Sequence, residues 1–317
     1  MTLAAAMAPN PVSDLAAVRP AKDTALTIGV FDGVHLGHKH LIGQVRAAES
    51  GGLASAVVTF RNHPRTVLNP EVQFPYLCPL PERLALLRAT GVDHVVPLTF
   101  TKELSQYTAR QFAEMLVTSL RMRLLIVGPD FALGKGREGT VPVLQGIGKE
   151  LGFRVETASA FLHKGAIVSS TAVRKALAEV DVQQAAELLG RTYVVTGTVV
   201  VGDRRGRTIG FPTANVKSDP ELAIPGDGVY STIAVVGGRR YGAATNIGVR
   251  PTFGHNARTF ETFIMDFSGD IYGKEITIEF LARIRPEMKF ASIESLVAQM
   301  RKDVEQSRAL TAPRLKS

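Results

Sequence analysis

From Ala25 onward the chain alternates between two hydrophobic periods. Short apolar runs, ALTIGV (25–30), LASAVVTF (53–60), HVVPL (94–98) and LLIVG (124–128), read as strands. Between them GHKHLIGQVRAAES (37–50), ERLALLRATG (82–91) and ARQFAEMLVTSL (109–120) carry helical character. VLQGIGKELG (143–152) and FRVETAS (153–159) repeat the unit. This βαβα order predicts a parallel sheet covered by helices. SSTAVRKALAEVDVQQAAELLG (169–190) reads as one or two helices. Beyond it the texture changes. RTYVVTGTVVVG, GVYSTIAVVGG, RRYGAATNIG, TFETFIMDF and KEITIEFLARI are β-rich and joined by glycine-containing turns, which predicts an antiparallel barrel or sandwich. IESLVAQMRKDVEQSRAL (293–310) closes the pattern as an amphipathic helix. The change of period places a boundary between units of 23–185 and 186–317. The alanine-rich, proline-broken stretch 1–22 reads as a flexible leader and lacks the layout of a signal peptide.

Length and charge refine this. A chain of 317 residues suits two domains. Thirty-seven basic residues against twenty-nine acidic ones leave a formal charge of +8, which favours anionic partners. The charge is dispersed, so a small anion is the better expectation than a nucleic-acid stripe. Cys78 is the single cysteine. It excludes an internal disulfide and a multi-cysteine zinc site, and it fits a reducing cytoplasm. No apolar run approaches the roughly 18–20 residues of a membrane-spanning helix.

Candidate chemistry begins at TIGVFDGVHLGH, after the first strand and at the start of the first helix. Ligands of parallel sheets sit beyond the carboxyl ends of strands. The pair His35 and His38 has three readings. Two imidazoles can ligate a metal, but no HExxH or cysteine pair accompanies them. They can cap or pack the helix. Or they can serve a nucleoside triphosphate, with backbone N–H groups and a helix N-terminus meeting the phosphates. Gly33 and Gly37 would then let the backbone approach the anion closely.

The string GVFDGVHLGH is similar to the signature of bacterial bifunctional riboflavin kinase/FAD synthetases, within the nucleotidylyltransferase superfamily. The resemblance implies that His35 and His38 stabilise charge in an adenylyl transfer, with Gly29, Phe31, Asp32, Gly33 and Gly37 shaping the nucleotide site. SSTAVR (169–174) is by itself a helix start capped by Ser169 or Ser170. The superfamily carries a similar motif, so Ser170, Thr171 and Arg174 are expected on the β and γ phosphates. Ala172 stands where the family often has arginine or another polar residue. GPDFALGKGREG (128–139) resembles a family loop in which Asp130 would meet nucleotide or flavin, although Leu133 replaces a frequent aromatic. RNHP (61–64) resembles another family loop, with Asn62 in place of a common proline.

In the second half, GDRRGRTIGFPTANV (202–216) is neither a Walker A loop nor a Rossmann fingerprint. By composition it is a glycine-rich hairpin. Thr213 and Asn215 are two residues apart, on one side of an extended chain, and both offer oxygen donors suited to Mg²⁺. GFPTAN resembles the riboflavin kinase signature, which assigns Thr213 and Asn215 to the metal–nucleotide site. It also places Gly202, Arg207 and Gly210 over the ATP phosphates. DGVY (227–230) and NIGVRPTF (246–253) match further family stretches. Glu261 stands where the family has its catalytic glutamate, with Asp266 and Asp270 as alternatives. Arg285 is expected to help close the flavin site.

The resemblance covers about residues 25–310. It implies an N-terminal parallel-sheet, Rossmann-like nucleotidylyltransferase domain and a C-terminal riboflavin-kinase-like β-barrel with a terminal helix. It implies phosphorylation of riboflavin to FMN and adenylylation of FMN to FAD. Riboflavin, FMN, FAD and ATP would be the ligands, with Mg²⁺, in the cytoplasm, without nucleic acid or membrane. Assembly state stays open. A flavin- or RNA-binding protein that kept the fold is the other reading. A pure binder has no need of His35, His38, Arg174, Thr213, Asn215 and Glu261 together.

Overall fold

The computed structural model describes residues 11–202, 205–249 and 258–315. The chain divides into two compact units, Met1–Ser169 and Ser170–Ser317.

In the first unit α1 (Pro11–Ala16) precedes β1 (Thr24–Gly29), α2 (Leu36–Ala47) and β2 (Ala54–Phe60). Then come α3 (Pro64–Leu68), α4 (Leu80–Arg88), β3 (His94–Leu98), α5 (Ala109–Leu120) and β4 (Met122–Val127). A hairpin of β5 (Ala132–Leu133) and β6 (Gly139–Thr140) leads to α6 (Val141–Leu151) and β7 (Arg154–Thr157). A second hairpin, β8 (Leu162–His163) with β9 (Ala166–Ile167), follows. The five-stranded sheet has the order β3-β2-β1-β4-β7, and its pairings are parallel. Helices cover both faces of such a sheet, so β1 and β2 read as continuous apolar runs and are buried along nearly their whole length. α5 shows how a helix is seated here. Thr108 and Gln111 form a capping box at its start, a motif whose hydroxyl is worth about 1 kcal/mol. Phe112, Leu116 and Leu120 then bury one face against the core around Leu26 and Ile28. The strand order reverses at β1 and β4, which places a crevice beyond the carboxyl end of β1.

One expectation is corrected. Residues 11–16 of the expected flexible leader form α1, with Leu15 fully buried in the core. The Asp14 carboxylate accepts a hydrogen bond from the Thr99 N–H at 2.8 Å, which anchors this segment. Residues 1–10 lie outside the described residues. The two compact units themselves divide between Ser169 and Ser170. α7 (Ser170–Ala178) and α8 (Val182–Leu189) pack on each other, and α8 packs on the barrel that follows. The Gly226 N–H donates to the Leu177 carbonyl, which ties α7 into the second unit. A change of hydrophobic period marks where strands begin, not which body the preceding helices join.

The barrel contains β10 (Tyr193–Val200), the short α9 (Arg205–Thr208), β11 (Thr213–Ser218), β12 (Gly228–Val236), β13 (Arg239–Val249), β14 (Arg258–Ile264) and β15 (Glu275–Arg285). It closes in the order β10-β11-β14-β13-β12-β15, entirely antiparallel. Tyr230, Phe260 and Phe280 fill its core, with Tyr230 edge-on to Phe280. A hydrogen-bonded row of Thr232, Thr245 and Thr262 crosses three strands. α10 (Ile293–Leu315) packs on β12, β13 and β15. Its buried residues are Asp303, Ser307 and Thr311, four apart and polar. Ser307 Oγ donates to the Ala243 carbonyl at 2.6 Å and meets Ser231 Oγ at 2.9 Å. The helix is therefore docked largely by hydrogen bonds.

Candidate functional sites

Beyond β1 the backbone turns through unfavourable conformations. Phe31 and Val34 have φ of 52° and 41°, and Gly33 has φ of 76°. Non-glycine residues in this region are uncommon and concentrate at functional sites. The turn is held by burial. Phe31, Val34 and Asp32 are nearly inaccessible, and both Asp32 carboxylate oxygens accept from the Leu77 N–H, at 2.9 and 3.1 Å. Phe31 packs against His38 with ring centroids 5.0 Å apart. Phe31 and Asp32 thus build the turn.

His35 is the N-cap of α2. Its Nδ1 accepts the His38 backbone N–H at 3.2 Å. A ring that accepts at Nδ1 carries its proton on Nε2, so capping fixes the tautomer. The two imidazoles stack with centroids 3.6 Å apart and planes at 18°. His38 Nδ1 is sealed from solvent and has no hydrogen-bond partner among the described residues. Burial, then the neighbouring His35 and Arg83, hold the His38 pKa well below 6.5. A stacked pair of neutral rings at a helix N-terminus offers N–H donors to an anion without a second buried charge. Gly37 is required by packing, because a Cβ there would stand 2.8 Å from the Val168 carbonyl oxygen. Gly29 likewise lies against the Phe31 ring.

Asp130 is exposed between β4 and β5, and its backbone carbonyl accepts from Arg137. Ser170, Thr171 and Arg174 lie at the start of α7, in the second unit.

The barrel brings distant residues into register. Asn215 on β11 is directly opposite Glu261 on β14, Glu261 opposite Asn246 on β13, and Asn246 opposite Val229 on β12. Val229 is opposite Arg285 on β15. Residues paired across adjacent strands share a face. This row lines one cavity of about 330 Å³, together with Thr213 two residues from Asn215 and with Leu296 and Met300 of α10. Thr213, Asn215, Glu261 and Arg285, all singled out from sequence, therefore meet. A second cavity of about 850 Å³ is lined by Arg207, Gly210, Asp266 and Tyr272, and it shares Thr213 and Phe263 with the first. Gly202 borders neither cavity. A Cβ there would lie 2.6 Å from Asn215 Cγ, so the glycine makes room for the amide. Asp203, Arg204 and residues 250–253 of NIGVRPTF lie outside the described residues.

The Arg285 guanidinium is already engaged. It forms a nearly buried ion pair with Asp303 of α10, donating from Nε and Nη2 at 2.8–3.0 Å, and Nη1 donates to the Pro286 carbonyl. It pins α10 beside the cavity that it lines. Asn246 and Glu287 also line this cavity, and Asn246 Nδ2 lies 3.3 Å from Glu287 Oε1. Sequence reasoning missed both. Asn246 opens the NIGVRPTF stretch already singled out, but its facing toward Glu261 depends on strand register.

No cluster of three or more His, Cys, Asp or Glu suited to a metal occurs among the described residues. The hydroxyl of Thr213 and amide of Asn215, with Glu261 opposite, instead form a sparse hard-oxygen set. That fits Mg²⁺, which takes few protein ligands and completes its shell with phosphates and water.

Residues 18–172 match the FAD synthetase family and residues 189–311 the riboflavin kinase family. The chain is 37% identical over 292 residues to a bifunctional riboflavin kinase/FMN adenylyltransferase of Listeria monocytogenes, covering 90% of this chain and 92% of that one. It is 38% identical to the protein of that name from Escherichia coli, over 90% of this chain and 91% of that one. A solved Streptococcus pneumoniae structure titled as a macrolide-efflux protein superposes with a TM-score of 0.85 at 31% identity, covering 93% of this chain and 96% of that one. Among the described residues, no helix of this chain is long and apolar enough to cross a membrane.

Proposed function

Since the chain belongs to the bifunctional riboflavin kinase/FMN adenylyltransferase family, and makes FMN from riboflavin and then FAD from FMN with ATP, we propose how its residues divide that work. Riboflavin occupies the 330 Å³ cavity and the ATP phosphates occupy the larger one. The observation that carries this is the wall they share at Thr213, flanked by the row from Asn215 to Arg285. Glu261 takes the proton of the ribityl 5′-hydroxyl. The oxygen attacks the γ-phosphorus, and the bond to the bridging oxygen breaks to release ADP. Thr213 and Asn215 hold Mg²⁺, which when bound neutralises phosphate charge. Arg207 and Gly210 border the phosphates.

In the first unit a phosphate oxygen of FMN attacks the α-phosphorus of a second ATP, and pyrophosphate leaves. The phosphate nucleophile is already ionised, so this step needs positioning and charge stabilisation more than a base. Imidazole N–H groups of His35 and His38, with the N-terminus of α2, meet the developing charge. Ser170, Thr171 and Arg174 hold the β and γ phosphates, and Asp130 meets the flavin nucleotide. The ligands are these small anions and flavins, with no nucleic acid. A reducing cytoplasm suits the one cysteine thiol, which is buried.

The test is a product assay with riboflavin, ATP and Mg²⁺. His38→Ala is expected to stop at FMN. Glu261→Ala is expected to make FAD only when supplied with FMN. A variant that loses the other step instead would contradict the assignment.

A further inference from the structure

Arg83 of α4 has an environment that neither proposed reaction accounts for. It is 1% exposed. Its hydrogen bonds run to backbone carbonyls: Nη1 to Val30 at 3.0 Å, and Nη2 to Phe60 at 2.9 Å and Arg61 at 3.0 Å. Its Nε is buried without a partner among the described residues. Tyr76 lies under the guanidinium at 5.9 Å. A buried cation is costly unless hydrogen bonds of good geometry offset its lost hydration, so where these bonds run is informative.

The three acceptors show what it serves. β1 and β2 pair as far as Gly29 and Thr59. Val30, Phe60 and Arg61 are the residues just past that end, where a parallel sheet presents its ligand crevice. The rigid, planar guanidinium ties these carbonyls to one another in a way that a lysine point charge cannot. Val30 also accepts from Thr59 Oγ1 at 2.9 Å and leads directly into the strained Phe31–Val34 turn that delivers His35. The charge is felt at the same place, since Arg83 contributes to the lowered pKa of His38.

We propose that Arg83 is a positioning residue of the adenylyl-transfer site, its guanidinium tying the carboxyl ends of β1 and β2 so that the turn presents His35 and His38 to the α-phosphate. This rests on the reading of those histidines as the charge-stabilising pair. Arg83 touches neither substrate. Its loss lowers the adenylyl kcat through misplacement and leaves KM nearly unchanged.

The experiment compares Arg83→Lys, Arg83→Gln, Leu87→Ala and His38→Ala in the full chain, with FMN and ATP as substrates. The kinase rate with riboflavin reports an intact second unit, and thermal melting reports folding of the first. Leu87 is fully buried on the same helix and packs with Phe31 and Val34, so it controls for lost packing alone. Arg83→Lys is expected to lower the adenylyl kcat by roughly 10- to 100-fold, with KM for ATP and FMN within about threefold. Leu87→Ala is expected to lower thermal stability while the kcat per folded molecule holds. Arg83→Gln, which buries no charge, gives the same kcat result should the lysine variant unfold. The proposal is overturned if a folded Arg83 variant keeps kcat within about twofold. It is also overturned if both variants only unfold the first unit while kinase activity persists, which marks a purely structural role. If His38→Ala itself keeps full adenylyl activity, the underlying site reading fails instead.

Discussion

Gly202→Ala separates activity from stability at the kinase site. The new Cβ would lie 2.6 Å from Asn215 Cγ and 2.9 Å from Oδ1. Comfortable carbon–carbon contact begins near ~3.5 Å, so the amide must retreat by about 1 Å. The obstacle is the end of a side chain, not backbone, and the amide can rotate away at little cost to folding. Catalysis is less forgiving, because about 1 Å of misplacement can cost 10²-fold, or ~2.7 kcal/mol of barrier. Steady-state assays should therefore show riboflavin phosphorylation falling by roughly two orders of magnitude. FMN adenylylation in the same preparation should be unchanged, with a small shift in melting temperature. Adding Asn215→Ala to Gly202→Ala should cost no more than Asn215→Ala alone, since both act through one group. Kinase activity within about threefold of wild type, or fully additive losses, would refute the reasoning.

Two further outcomes follow from buried titratable groups. The folded-state pKa of His38 lies well below the 6.5 expected when unfolded. Between those values the unfolded chain binds more protons, so stability is full above about pH 6.5 and is lost as pH falls through that window. Denaturant titrations at pH 8 and pH 5.5 should show this loss in wild type and a smaller one in His38→Asn. Equal pH slopes would count against the buried neutral ring. Asp303→Ala leaves Arg285 without its partner in a site where both side chains are nearly buried. A cost of about 3–5 kcal/mol is expected in unfolding of the second unit, together with a raised KM for riboflavin. A loss under ~1 kcal/mol, the level of an exposed pair, would mean that α10 is held by other contacts.

Local signals carried much of this architecture into the sequence. The unbroken apolar run of β1 followed by GVFDGVHLGH was enough to place His35 and His38, because strand end, turn and helix start are neighbours in the chain. The β-rich second half could be recognised by its period, but barrel and sandwich share that period. The row of Asn215, Glu261, Asn246, Val229 and Arg285 was not legible, since it arises from register among five strands. α10 looked amphipathic, but the residues it buries are Asp303, Ser307 and Thr311, which only their hydrogen-bonding partners on the barrel explain. The family resemblance assigned Asp32 to the nucleotide site. Its bond to Leu77, far along the chain, could not be anticipated. α1 was hidden by its prolines and alanines, and it docks through buried Pro11 and Leu15 and the Asp14 carboxylate.

On this assignment two separate sites break two different bonds of ATP. The most direct measurement follows label from γ-³²P-ATP and α-³²P-ATP into flavin, starting from riboflavin, in wild type, His38→Ala and Glu261→Gln. Wild type should place γ label in FMN and both labels in FAD. His38→Ala should retain γ label in FMN and lose α label, and Glu261→Gln should lose both unless FMN is supplied, when α label returns. Appearance of α label in flavin from His38→Ala at the wild-type rate, or of γ label from Glu261→Gln at the wild-type rate, would contradict the account.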